Sequence, residues 1–186
     1  MKKLILICMT YVLFLPTSYS GVGLNAGLGV PFVSQFGLNV TMGPKWTLNL
    51  MQNTLDLSIG DAKTKLTMPE LSVNWHPFAG SFFIGLGVGQ EKLEVTASDA
   101  FGNNASAEAT ATTTIAKLGW MWGKADGGVW FGMDLAFISP SGGEVEIDVN
   151  GLSTTSQEYQ DLVDSGEKFA ETAYMNITFA RLGYLF

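Results

Sequence analysis

The sequence predicts an all-β protein: an eight-stranded antiparallel up-and-down transmembrane β-barrel, with a short helix in its last long loop. Three observations carry this. Apolar and polar or small residues alternate with period two through nearly the whole chain beyond residue 20. The polar phase of that alternation is mostly glycine and asparagine, where a soluble sandwich would show lysine, glutamate and threonine. The aromatic residues gather beside one set of short turns. No apolar run beyond residue 20 is long enough for a membrane-spanning helix, so a chain this rich in apolar residues (47% of 186) and this poor in charge (15%) crosses a bilayer only as a closed barrel.

Residues 1–20 form a leader of their own. Lys2 and Lys3 precede an apolar run from Leu4 to Leu15, Pro16 breaks it, and small Ser18 and Ser20 stand at −3 and −1 before Gly21. This is the layout of a secretory signal peptide, with an apolar part too short for a stable span. The single cysteine, Cys8, lies inside it, so the exported chain carries no disulfide. Loss of Lys2 and Lys3 leaves eight basic and 17 acidic residues, net −9, against −7 for the whole chain. A chain so acidic offers no basic patch to neutralise phosphates, which excludes nucleic acid as a partner. Residues 21–186 are expected to form one domain.

Each strand is justified by its two faces. The first alternates Val22, Leu24, Ala26, Leu28 and Val30 with Gly23, Asn25, Gly27 and Gly29; the second sets Phe36, Leu38, Val40 and Met42 against Gly37, Asn39 and Thr41. The third runs from Trp46, Leu48 and Leu50 to about Ile59. The fourth, from about Lys63, ends on Leu71, Val73 and Trp75 against Ser72, Asn74 and His76. The fifth shows Phe82, Ile84, Leu86 and Val88, the sixth Ala116, Leu118, Trp120 and Trp122, and the seventh Val129 to Phe137 in steps of two. The eighth reads Thr178, Ala180, Leu182, Tyr184 and Phe186 outward, with Phe179, Arg181 and Gly183 inward.

Antiparallel partners must share a face, so the turns predict registers. Across Gly43–Lys45 the expected pairs are Met42–Trp46, Val40–Leu48 and Leu38–Leu50, with Asn39–Asn49 inside. The Gly60-Asp61 turn, a favoured short hairpin, gives Leu48–Val73 and Leu50–Leu71. Across residues 77–80 the expectation is Trp75–Phe82 and Val73–Ile84. Across residues 123–128 it is Trp122–Val129, Trp120–Phe131 and Leu118–Met133, which sets Lys117 opposite Asp134.

The outward aromatics Trp46, Trp75, Trp120, Trp122, Tyr184 and Phe186 then share one level, while Trp130 faces inward. A belt of amphipathic rings is what a membrane–water boundary selects. The ending Ala180, Leu182, Tyr184 and Phe186, together with the alternation from residue 21 onward, resembles the small bacterial outer-membrane barrels of the OmpX/OmpA type. That resemblance implies a porin-like barrel in the outer membrane of the Gram-negative cell envelope, surrounded by outer-membrane lipids. It implies short turns in the periplasm, long loops outside, a monomer, and a last strand read by the barrel-assembly machinery.

Function must lie in the interior or the long loops. Lys117, Asp134 and Arg181 are expected to form a buried charge cluster, because an unpaired charge there is costly. Its structural role is an interior network; the functional alternative is a selectivity ring. Ten inward glycines leave room that Phe83, Met121, Trp130 and Phe179 are expected to fill. The stretch from Ser139 to Thr172 reads as an acidic loop whose Thr155–Glu158 capping box and Tyr159, Leu162 and Val163 predict the short helix. It lacks the spacing of a calcium loop, so no metal or other cofactor is expected. His76, the one histidine, faces Ser81 in the expected register without an orienting acid, so no enzymatic site is expected. The resulting expectation is a non-enzymatic outer-membrane protein with a structural or surface-interaction role. The alternative is a narrow channel for small solutes, apolar ones included.

Overall fold

The computed structural model describes residues 21–59, 62–98, 104–123, 127–149, 168 and 171–186. These form eight strands: β1 (Val22–Val30), β2 (Ser34–Met42), β3 (Trp46–Ile59), β4 (Ala62–Trp75), β5 (Phe82–Ser98), β6 (Asn104–Trp122), β7 (Gly128–Val149) and β8 (Tyr174–Leu185). Each strand pairs antiparallel with its chain neighbours, and β1 pairs with β8 to close the barrel. The expected signal peptide (1–20) and the helix expected over Thr155–Val163 lie outside the described residues.

The alternation produces the two faces directly. In β1, burial alternates residue by residue: the leucines and valines point out, and the glycines and Asn25 point in. The two tight turns hold the expected registers, Met42↔Trp46 with Asn39↔Asn49, and Leu48↔Val73 through to Ile59↔Ala62. The two longer turns do not. Trp75 pairs with Ile84, and Trp122 pairs with Phe131, each two residues beyond the expected partner. The β4–β5 turn therefore takes in residues 76–81, bending through Ala79 at a left-handed φ of 52°. A shift of two returns every side chain to its own face, so alternation cannot distinguish the two registers. One consequence is chemical: Lys117 lies opposite Ala136, and Asp134 lies opposite Gly119.

The eighth strand holds a further correction. Its register against both β1 and β7 shifts between Arg181 and Thr178, the mark of a β-bulge. The bulge reverses the phase, so Thr178 and Asn176 are buried while Phe179 is exposed. Phe179 therefore does not fill the interior. The stretch expected as a loop from Ser139 also begins as strand. β7 continues to Val149, pairing Glu144 with Thr110 and Val149 with Ala105. Its Glu144-Val145-Glu146-Ile147-Asp148-Val149 segment is itself a period-two pattern.

Strand lengths divide the barrel in two. β1 and β2 have nine residues each, whereas β5, β6 and β7 have 17, 19 and 22. A complete lower barrel, at the end with the short turns, is thus surmounted by a taller wall built from β3 to β7.

Candidate functional site

The interior is stacked in three layers, each set by which residue type falls on the inward phase. Nearest the short turns, Phe83, Met121, Trp130 and Leu185 form an apolar layer. The edge of the His76 ring meets Phe83, with centroids 5.6 Å apart. Glycine is required here by close approach: a Cβ on Gly183 would fall inside the Trp130 indole, and one on Gly132 would come within 3.0 Å of it. The inward glycines therefore do not leave space; they are the recesses that hold the large side chains.

The middle layer carries the charges. Lys117 pairs with Glu70, whose Oε1 also accepts from Ser72 Oγ at 2.6 Å and whose Oε2 accepts from Asn53 Nδ2 at 3.3 Å. Arg181 Nη1 meets Asp134 Oδ2 at 2.9 Å, and Arg181 Nη2 donates to Gln35 Oε1 at 2.9 Å. The Thr178 hydroxyl lies 3.2 Å from Asp134 Oδ1 and 3.1 Å from Gln35 Oε1. All four charged side chains are buried. The layer is thus two ion pairs, each held by neutral hydrogen-bonding groups, in place of one three-residue cluster. Such pairs are favourable only when their remaining polar atoms are satisfied, and removing one partner is strongly destabilising.

Glu70 is the residue that sequence reasoning missed. It shares the inward phase of β4 with Ser72, Asn74 and His76, and that phase was sufficient to place it inside. Through the bulge, β8 presents Arg181 and Thr178 toward Asp134, which the shifted register removes from Lys117.

His76 is fully buried at the turn end. Its Nδ1 lies 3.1 Å from both the Gly80 and Phe82 carbonyls, which makes that nitrogen the donor, and its Nε2 lies 3.3 Å from Thr47 Oγ1. The ring braces the β4–β5 turn. Ser81 is not its partner across the sheet; the Ser81 carbonyl accepts instead from the Met121 N–H at 2.8 Å.

Above the charges, Phe32, Leu66, Met68, Ile115, Ala136 and Ile138 form a second apolar layer, with Leu55, Leu93 and Tyr174 packed on it. Phe32 comes from the β1–β2 turn and folds inward against Tyr174, ring centroids 6.3 Å apart. Beside this layer lies a cavity of about 460 Å³, lined by Leu55, Leu66, Leu93 and Tyr174 with Pro31, Thr64, Thr172 and Met175.

The outer surface mirrors this layering. Trp46, Trp75, Trp120, Trp122, Tyr184 and Phe186 are all exposed near the short turns, and Trp130 is the one tryptophan turned inward. Neighbouring rings meet across strands: Trp46 with Trp75, Phe82 with Trp120, and Trp122 stacked on Phe131 at 5.7 Å. Higher on β4 and β5 the outward side chains are Lys63, Lys65, Lys92 and Glu94. Lys92 Nζ bridges Glu94 and Glu108 at 2.8 and 2.9 Å. Of the residues expected to carry the assembly signal, Leu182, Tyr184 and Phe186 are exposed, while Ala180 sits at the bulge and is half-buried.

Among solved structures, a major outer membrane protein of Thermus thermophilus is similar, with a TM-score of 0.59 at 12% identity over 90% of this chain and 99% of that one. CarO2 and CarO of Acinetobacter baumannii also align, with TM-scores of 0.45 and 0.46 at 15% and 11% identity. Each covers 89% of this chain, with 98% and 97% of those chains aligned. No family model matches the chain, and no curated protein matches it in sequence. The Thermus protein supports the small closed-barrel fold; at this identity it is the fold that is shared.

Proposed function

We propose that the protein is an outer-membrane β-barrel with a filled interior, serving a structural or surface-interaction role without transporting solutes or catalysing a reaction. The observation that carries this is the layered interior: two ion pairs enclosed between two apolar layers, with side chains seated in the recesses left by glycine. Eight strands enclose a volume that side chains fill, whereas larger barrels leave an aqueous lumen.

The membrane location is supported by the outer surface. Leu24, Phe36, Leu50, Leu86, Phe131 and Leu182 are exposed around the lower barrel, a band that water would drive to aggregate and lipid accommodates. The ring of tryptophans at its edge suits a headgroup boundary; short turns in the periplasm and the taller wall outside follow the topology of the small outer-membrane barrels that the chain resembles. Outer-membrane lipids are then the main partner of a monomeric barrel. The outward row Leu182, Tyr184 and Phe186 is the surface assigned to the barrel-assembly machinery, and residues 1–20 are assigned to export. A non-enzymatic reading is supported by His76, whose ring nitrogens are engaged by turn carbonyls and Thr47.

Conductance of the purified protein in planar bilayers tests the filled interior. The expected outcome is a bilayer with no added single-channel steps. Steady discrete openings would replace this reading with the narrow channel.

A further inference from the structure

The barrel wall is cut low at the β1–β2 hairpin, and an apolar cavity lies in the notch this leaves. The β2–β3 ladder ends at Ser34↔Thr54 and the β1–β8 ladder at Val30↔Ile177. Both β3 and β8 extend past those pairs, so Leu55 and Met175 flank the notch, with Pro31 in the turn between β1 and β2. All three line the cavity of about 460 Å³, together with Leu66 and Leu93 from the taller wall. None of the described residues lining it is charged. Its polar groups are the Thr64 and Thr172 hydroxyls and the Tyr174 phenol, and that phenol is hydrogen-bonded to Glu91. Below the notch the outer face is apolar: Leu28 and Val30 on β1, Val33 and Phe36 at the hairpin, and Ile177 on β8 are all exposed.

We propose that this notch admits the hydrocarbon tail of a membrane lipid, which passes over Pro31 and Met175 and lies against Leu55, Leu66 and Leu93. The proposal rests on the membrane placement argued above, and the chemistry of the lining selects the occupant. Aliphatic walls without a charge call for no counter-ion, which excludes a headgroup, and the volume falls in the range of about 300–1,000 Å³ usual for ligand sites. Met175 is itself exposed on the outer face, so the lining is continuous with the surface that lipid covers. A neighbouring tail therefore reaches the cavity without crossing water. Its entry also removes the leucine side chains from water at the level where the outer face turns charged.

The test is an intermolecular NOE experiment on the full barrel, deuterated except for its leucine methyls, in nanodiscs of dimyristoylphosphatidylcholine with protonated tails. Three leucines read three environments. Leu86 on the outer collar reports lipid contact, and Leu185, buried in the turn-end layer, reports background. Leu66 is 4% exposed and meets a tail only if one enters the notch. Cross-peaks to tail protons are expected at Leu86 and Leu66, with none at Leu185. Met175→Glu places a charge at the entrance and Leu55→Trp fills the space. Each should abolish the Leu66 cross-peak and keep that of Leu86, with heat-modifiable migration showing that the barrel is intact. Loss of the Leu86 cross-peak in the unaltered protein would overturn the membrane placement and this proposal with it. A Leu86 cross-peak without one at Leu66 would overturn the proposal alone, as would a Leu66 cross-peak that survives both substitutions. Protonated n-octane in nanodiscs of tail-deuterated lipid separates the two sources of hydrocarbon: if octane reaches Leu66 where lipid tails do not, the cavity serves a free apolar solute and the lipid assignment fails.

Discussion

β4 passes through two environments, and its side chains invert between them. Below Pro69 the inward residues are Glu70, Ser72, Asn74 and His76, and the outward ones are Leu71, Val73 and Trp75. Above it the inward residues are Leu66 and Met68, and the outward ones are Thr67, Lys65 and Lys63. The period of two never breaks; only its polarity reverses. β5 does the same: Leu86 and Val88 face out below, Lys92 and Glu94 above, while Leu93 turns in. The upper wall is built like a soluble protein, apolar within and charged without. Around the ion pairs the lower barrel is built in reverse, polar within and apolar without. What differs is the solvent that each outer face meets, lipid below and water above in the reading proposed here. The inversion also explains why the charges sit where they do, since polar groups in the lower interior must satisfy one another.

The largest expected effect is on those charges. Glu70→Gln leaves Lys117 buried without its counter-charge and should destabilise the barrel by about 3–5 kcal/mol, read from urea unfolding in lipid vesicles. Replacing both partners, Glu70→Leu with Lys117→Met, removes both desolvation penalties and should cost far less. A single variant as stable as the double would mean that the lower interior is as wet as the upper surface.

Next come substitutions on the outer face. Leu86→Arg puts a charge on the lower collar and should cost about 2–4 kcal/mol if it faces the bilayer core. Lys65→Leu, on the same outward phase higher up, should change stability by about 0.5 kcal/mol or less, as exposed substitutions usually do. Equal effects in vesicle unfolding would erase the distinction between the two zones.

Glu91 is the exception that sharpens the comparison, a carboxylate on the inward phase above the end of the apolar collar at Val88. Burial pushes its pKa from the ordinary 4.5 up to about 7, while the adjacent Tyr174 phenol pulls it partly back. A carboxylate raised in the folded state imposes no cost below pH 4.5. Its ionisation then increasingly opposes folding as the pH rises toward 7. Glu91→Gln should therefore leave stability nearly unchanged at acid pH and raise it by about 1–3 kcal/mol above neutrality. A gain independent of pH would place the Glu91 carboxylate in water.

Much of this organisation was legible in the sequence. Alternation gave the eight strands and their faces, and short turns such as Gly43–Lys45 gave registers to the residue, because a tight loop admits few pairings. The two longer turns were misread by two positions, since a two-residue slip preserves every face. That slip alone joined Lys117 to Asp134 and concealed the Glu70–Lys117 pair. The bulge at Phe179 and Ala180 left no mark, because threonine, phenylalanine and alanine each suit either side of a strand. The upper wall was partly hidden for the opposite reason: once polarity inverts, Glu144 to Val149 reads as an acidic loop unless the alternation is followed with its sign reversed.

Spin labels stepped along one strand test the two-zone account most directly. With Cys8 in the leader as the chain's single cysteine, Leu86→Cys, Val88→Cys, Gln90→Cys and Lys92→Cys can each be labelled in the barrel in vesicles. Collision with oxygen reports lipid, and collision with a water-soluble nickel chelate reports solvent. Labels at 86 and 88 should favour oxygen and the label at 92 should favour nickel, with the crossover near Gln90. Nickel dominance at all four positions would contradict the account, since it would put the apolar collar in water.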